Sequence, residues 1–188
     1  MRKVVKFGGS SLASAEQFKK VGEIIHADKE RRFVVPSAPG KRNADDTKVT
    51  DMLYDCYDLA EAGKDFKAQL KAIKERYQEI IDGLGLKLSL DEEFKTSRGE
   101  YLNGIIMADY LGFTFVDAAE VILFNENGEY DVEVTNSKMR ERLGSLDSAV
   151  IPGFYGAYAD GTVKTFSRGG SDITRRMCMK TGQTYQAS

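Results

Sequence analysis

Val4-Val5-Lys6-Phe7-Gly8-Gly9-Ser10-Ser11 stands at the start of the chain, and the reading of this stretch decides the fold class. Residues 4–7 read as a short buried strand ending in the Gly8-Gly9 turn, and Ser10 or Ser11 can cap the helix beyond it. That helix carries Phe18, Val21, Ile24 and Ile25 at spacings of three and four. A second strand follows at residues 32–35, then the loop Pro36-Ser37-Ala38-Pro39-Gly40-Lys41-Arg42. Strand, helix, strand in this order implies a parallel pair joined by a crossover helix, hence an α/β fold.

Outward from this unit, residues 49–62, 64–81, 99–111 and 136–143 read as helices, and 113–117, 121–124 and 149–151 as strands. Segments 155–159 and 162–166 flank Asp160-Gly161, a strong hairpin signal. Phe66, Leu70, Ile73, Tyr77 and Ile80 form one stripe, which suits either a coiled-coil seam or a helical hairpin packed on its own domain. No internal repeat, low-complexity tract or linker interrupts the chain, and 188 residues are short for more than one domain.

Lys and Arg number 27 against 29 Asp and Glu, a net charge of −2. Such a balance leaves no electrostatic footprint for nucleic acid or an anionic membrane, so neither is expected as a partner. No apolar run approaches the roughly 20 residues of a membrane helix. Met1 leads straight into a strand-like segment without a secretory leader, and the expected location is the cytoplasm. Cys56 and Cys178 lack metal or redox spacing and read as free thiols; no metal site is expected. His26, between Ile25 and Ala27, reads as structural or superficial.

Two places can carry chemistry. Lys6 at a strand end, beside glycines that open a helix, can hold phosphate oxygens through backbone N–H groups, a partially positive helix end and one full charge. Taken alone, the signal is weak, and such a turn is more often purely structural. It is not a Walker A loop: the only Gly-Lys pair, Gly40-Lys41, is followed by Arg42 and lacks the upstream glycine. The second place is Arg168-Gly169-Gly170-Ser171-Asp172, where an arginine can grip a carboxylate bidentately and Ser171 with Asp172 can cap a following helix.

In combination these motifs resemble the aspartate kinases of the amino-acid kinase superfamily. In order along the chain stand Lys6 to Ser11, Ser37-Ala38, Gly99-Glu100, Pro152-Gly153-Phe154 and Arg168 to Asp172, and Val49-Thr50-Asp51 is similar to the threonine-bearing helix start after the serine-alanine loop. The resemblance implies a three-layer α/β/α fold with a mainly parallel sheet, and phosphoryl transfer from ATP with Mg2+ to the β-carboxylate of L-aspartate. It implies that Lys6, Gly8, Gly9 and Ser10 bind the phosphate. Ser37, Ala38, Thr50, Glu100, Phe154, Arg168 and Ser171 would bind aspartate, with Glu100 on the α-ammonium and Arg168 on the α-carboxylate. Asp172 would orient Lys6, these two being the catalytic pair.

Three departures stand out. Pro36 precedes Ser37 where the family carries a residue such as valine, removing a donor at a strand end. Ser167 replaces the first glycine of the arginine-glycine-glycine motif, at a cost of about 1 kcal/mol if that position needs positive φ. After Thr174 the family's long apolar helix and nucleotide half give way to Arg175-Arg176-Met177-Cys178 and a polar end.

The expected division is therefore residues 1–174 as the amino-acid-binding lobe, truncated before the nucleotide-binding half, and 175–188 as a tail outside the family pattern. Permitted codons for residues 176–188, read in a shifted frame, encode Asp-Val-Tyr-Glu-Asn-Trp-Thr-Asp, similar to the family's nucleotide-half segment. The tail is thus expected to be out of frame and poorly packed. On this reading the chain alone has negligible kinase activity. Three functions stay open: an aspartate kinase lobe; another kinase of the superfamily, for acetylglutamate, glutamate or uridylate; and an inactive fragment that at most binds aspartate or a partner subunit. A homo-oligomer and a complementary subunit are both open.

Overall fold

The computed structural model describes residues 2–91, 99–166, 170–180 and 185–187. In chain order the elements are β1 (Arg2–Phe7), α1 (Ala15–His26), β2 (Arg31–Pro36), α2 (Val49–Glu61), α3 (Lys67–Leu84), α4 (Gly99–Leu111) and β3 (Thr114–Phe115). There follow α5 (Ala118–Val121), α6 (Val132–Gly144), β4 (Ala149–Val150), β5 (Tyr155–Ala157), β6 (Val163–Thr165), α7 (Gly170–Lys180) and β7 (Tyr185–Ala187). Five strands form one sheet in the order β3-β4-β2-β1-β7, with every neighbouring pair parallel. The hairpin of β5 and β6 stands apart as an antiparallel pair.

Strand side chains alternate between faces, and the central strands exploit this to fill two cores. Val5, Val34 and Val150 point to the layer of α1, α3 and α4, packing with Phe18, Ile73, Tyr77 and Ile106. Val4, Phe33, Val35, Ala149 and Ile151 point the other way, toward Met139, Tyr155 and Met177. The registers Val4 with Phe33 and Phe33 with Ala149 put like faces together across the sheet. The result is the three-layer α/β/α arrangement expected.

Several local readings need correction. Neither Ser10 nor Ser11 caps α1: both lie in a 3-10 turn over Gly9–Leu12, and Ser14 supplies the cap by accepting the Gln17 N–H at 3.4 Å. Ile24 is 47% exposed, so the buried face of α1 is Phe18, Val21, Gly22 and Ile25. Of the stripe, Leu70, Ile73, Tyr77 and Ile80 on α3 pack into the domain's own core, which excludes the coiled-coil seam, whereas Phe66 stands exposed just before the helix. Residues 121–124 are not a strand. Asp117 caps the one-turn α5 by accepting the Ala119 N–H, leaving only the isolated bridges Leu123–Ala157 and Phe124–Tyr130. Helix α6 starts earlier than position 136 because Asp131 caps it through the Val134 N–H.

Pro36 does not disturb the strand end. The ladder resumes one residue later, where the Ser37 N–H donates to the Phe7 carbonyl at 3.0 Å. Nor is the chain beyond Thr174 poorly packed through α7. Met177 and Cys178 are buried at 3% and 0% exposure. They repeat the face of Ile173 and Thr174 one turn on, while Arg176 lies exposed. Strand β7 then pairs with β1, so β1 is not the sheet edge. No described helix is long and apolar enough to cross a membrane.

Candidate active site at the carboxyl ends of the strands

In an open parallel sheet, ligands collect beyond the carboxyl ends of the strands. The described residues selected from sequence lie there on three segments. Lys6, two residues after Val4, falls on the sheet face that α7 covers. Its Nζ lies 3.6 Å from Oδ2 of Asp172, in the first turn of α7. At that distance the two are charge neighbours rather than a tight hydrogen bond, and both remain partly accessible.

The Gly8-Gly9 turn is built from two glycines with different jobs. A Cβ on Gly9 would come within 2.9 Å of the Ala38 carbonyl oxygen, and one on Gly40 within 2.5 Å of the Gly9 carbonyl carbon. The Gly40 N–H donates to the Gly9 carbonyl at 2.8 Å, so two strand-end loops interlock backbone to backbone. Gly8 faces open space instead: nothing lies within 4 Å of where its Cβ would be, and its φ of −77° suits any residue. Packing therefore does not demand glycine at position 8. Ser10 is exposed on the 3-10 turn beside it.

On the second segment stand Ser37 and Ala38. The Ser37 carbonyl accepts a 2.6 Å hydrogen bond from Nδ2 of Asn103, on α4. One turn earlier on the same helix, Glu100 is 8% exposed and its carboxylate accepts the N–H of Ala38. Burial pushes the Glu100 carboxyl up from 4.5 to about 7; the N–H groups of Ala38 and Glu100 itself pull only partly the other way. Tyr77 of α3 fixes the start of α4 by donating its hydroxyl to the Gly99 carbonyl at 2.7 Å. Thr50 lies half-buried in the first turn of α2.

Phe154 marks the third segment. Among the described non-glycine residues it alone has positive φ, 76°, held by the Phe166 N–H donating to its carbonyl at 2.8 Å. A bulky side chain in that region is strained, and such strain concentrates at functional sites. Arg168 lies outside the described residues, as does Ser167, and Ser171 is described only as backbone of α7.

Arg76, Tyr77, Asn103 and Gly40 lie outside the site residues read from the motifs. Asn103 had a readable signal, being three residues after Glu100 and therefore on the same helical face. Arg76 had none, since it sits in a lysine- and glutamate-rich helix whose charges otherwise face solvent. Its guanidinium is 4% exposed and ion-paired with Asp46 at 2.7 Å. Hydrogen bonds from Arg42 first, and then Arg76, hold the Asp46 carboxyl well below the usual carboxylate range.

Residues 1–177 match the amino acid kinase family. Aspartokinase 3 of Bacillus subtilis is 38% identical over 201 residues, covering 92% of this chain and 44% of that protein. Chloroplastic aspartokinase 1 of Arabidopsis thaliana is 28% identical over 208 residues, covering 91% of this chain and 36% of that one. The crystal structure of Clostridium acetobutylicum aspartate kinase superposes on 100% of this chain and 47% of its own with a TM-score of 0.92 at 42% identity. Escherichia coli aspartokinase III shares the fold at a TM-score of 0.80 and 21% identity. The chain spans less than half the length of each of these relatives. By the matched residues and by its parallel sheet with Lys6 and Asp172 at the carboxyl edge, this chain belongs to the amino acid kinase family.

Proposed function

We propose that the chain is the amino-acid-binding lobe, residues 1–174, of an aspartate kinase. The observation that carries this reading is Glu100: a buried carboxyl with no described cation beside it, near neutrality, at the strand ends and held by the Ala38 N–H. A free α-ammonium is a partner that such a group can take, whereas an N-acetylated or nucleotide substrate offers none. The names of the relatives agree on aspartate as the substrate class.

In the proposed reaction a β-carboxylate oxygen of L-aspartate attacks the γ-phosphorus of ATP, and the bond to the β,γ-bridging oxygen breaks. The products are 4-phospho-L-aspartate and ADP. An ionised carboxylate needs no base, so the protein's work is positioning and charge neutralisation. Mg2+ carried with the nucleotide supplies part of that neutralisation. Lys6 supplies more from the chain itself, with Gly8, Gly9 and Ser10 lining the phosphate side. Open space at Gly8 and the Lys6 ammonium fit a phosphate there. Asp172 holds the Lys6 side chain toward the site. Glu100 takes the α-ammonium and Arg168 the α-carboxylate, while Ser37, Ala38, Thr50, Phe154 and Ser171 shape the remaining wall.

The test is a comparison of L-aspartate with N-acetyl-L-aspartate by titration calorimetry. The reading expects saturable binding of the first only, lost in Glu100→Gln. Equal binding of both would remove the aspartate assignment.

A further inference from the structure

We propose that Arg76 is a positioning residue that locks the phosphate side and the amino-acid side of the site into one unit. It reaches from α3 into the gap behind the two strand-end loops, where its guanidinium is 4% exposed. One terminal nitrogen donates to the carbonyls of Gly40 at 2.6 Å and Ala13 at 3.3 Å. The other donates to Oδ2 of Asp46 at 2.7 Å.

Those three acceptors belong to both halves of the site. Ala13 follows the 3-10 turn that begins at Gly9, whereas Gly40 and Asp46 lie on the loop that carries Ser37 and Ala38. Gly40 is also the residue whose N–H closes on the Gly9 carbonyl. Arg76 therefore holds Gly40 at its carbonyl while Gly9 holds it at its amide. Movement of either loop would break a charge-assisted hydrogen bond to a guanidinium that is 4% exposed. The next residue, Tyr77, sets the start of the Glu100 helix. Two consecutive side chains of α3 thus brace three segments of the site without facing its ligands.

Arginine is specific to this task. Its planar fork can serve two loops at once, whereas a lysine ammonium can keep the Asp46 pair but cannot span to Gly40 and Ala13 together. Arg76→Lys should therefore preserve the fold and loosen the lock.

The geometry stands without the aspartate reading; its consequence for binding rests on it, so two readouts are needed. Amide hydrogen exchange on the full chain compares Gly40 with Ile151, whose N–H donates to Val34 within the sheet. L-Aspartate titration supplies the second. In Arg76→Lys, Gly40 protection should fall at least tenfold with Ile151 unchanged, and the aspartate Kd should rise about tenfold. Unchanged Gly40 protection with unchanged Kd overturns the proposal, and so does an equal loss of protection at Gly40 and Ile151, which would make Arg76 merely structural. Should Arg76→Lys fail to fold, Asp46→Asn decides: selective loss of Gly40 protection supports the lock, and wild-type protection there overturns it. A wild-type chain that binds no aspartate refutes the functional reading instead, and the Gly40 exchange alone then judges Arg76.

Discussion

Replacing Glu100 by glutamine should stabilise the protein while removing its ligand. The carboxyl titrates near 7 in the fold and near 4.5 in the unfolded chain, and at 1.36 kcal/mol per pH unit this difference amounts to about 3 kcal/mol. The sign follows from proton counts. Between 4.5 and about 7 the folded chain retains a proton that the unfolded chain has lost. Stability therefore falls as pH rises through that window and levels off above it. Glutamine has the size of the neutral form and an oxygen for the Ala38 N–H, but it never ionises. At pH 4 the variant and wild type should match. At pH 8 the variant should be more stable by about 3 kcal/mol, equivalent to roughly 6–12 °C in Tm for a domain of this size. Urea unfolding at pH 4, 6 and 8 measures it. Equal stabilities at pH 8, or a less stable variant, would refute the burial argument.

The interlocked loops predict a contrast between neighbouring glycines. Gly40→Ala drives a Cβ into the Gly9 backbone and should cost about 2–3 kcal/mol, whereas Gly8→Ala enters open space and should change Tm by no more than a degree or two; equal losses would contradict the geometry. Phe154→Gly relieves a positive φ worth about 1–2 kcal/mol and loses a similar amount of apolar burial. Denaturation should find its stability near wild type while calorimetry finds aspartate affinity reduced; a large stability loss would mean that the side chain serves packing. Burial raises the Cys178 thiol to about 12, so native protein at pH 8 should resist alkylation there until unfolded. Labelling of Cys178 by mass spectrometry as fast as in denaturant would show that α7 does not pack as described.

The fold was readable wherever one periodicity ruled a segment. Val4-Val5-Lys6-Phe7 and the run Phe33-Val34-Val35 carry the β-branched and aromatic residues of strands buried on both faces, and the glycine turn joins them to a capped helix. Residues 121–124 misled because their apolar run suits a strand, while the deciding event was a side-chain cap four residues earlier at Asp117. The tail misled in the opposite sense. Two arginines hid the fact that Ile173, Thr174, Met177 and Cys178 share one helical face, and no local rule foretells that residues 185–187 join a strand on the far side of the chain. In the site, ordered motifs marked Lys6, Glu100 and Asp172. They could not mark Arg76, because a buried arginine and a solvated one look alike in a charged helix until the loop it serves has been placed.

Aspartate titration of the 188-residue chain at pH 6 and pH 8 tests the central claim most directly. If the α-ammonium pairs with an ionised Glu100, binding requires the carboxylate. With a midpoint near 7, that form rises from roughly one tenth to roughly nine tenths of the molecules between the two pH values. Affinity should therefore tighten about tenfold at pH 8, with about one proton released per aspartate bound at pH 6, and Glu100→Gln should abolish the binding. Binding that is indifferent to pH, or that survives Glu100→Gln, would contradict the account.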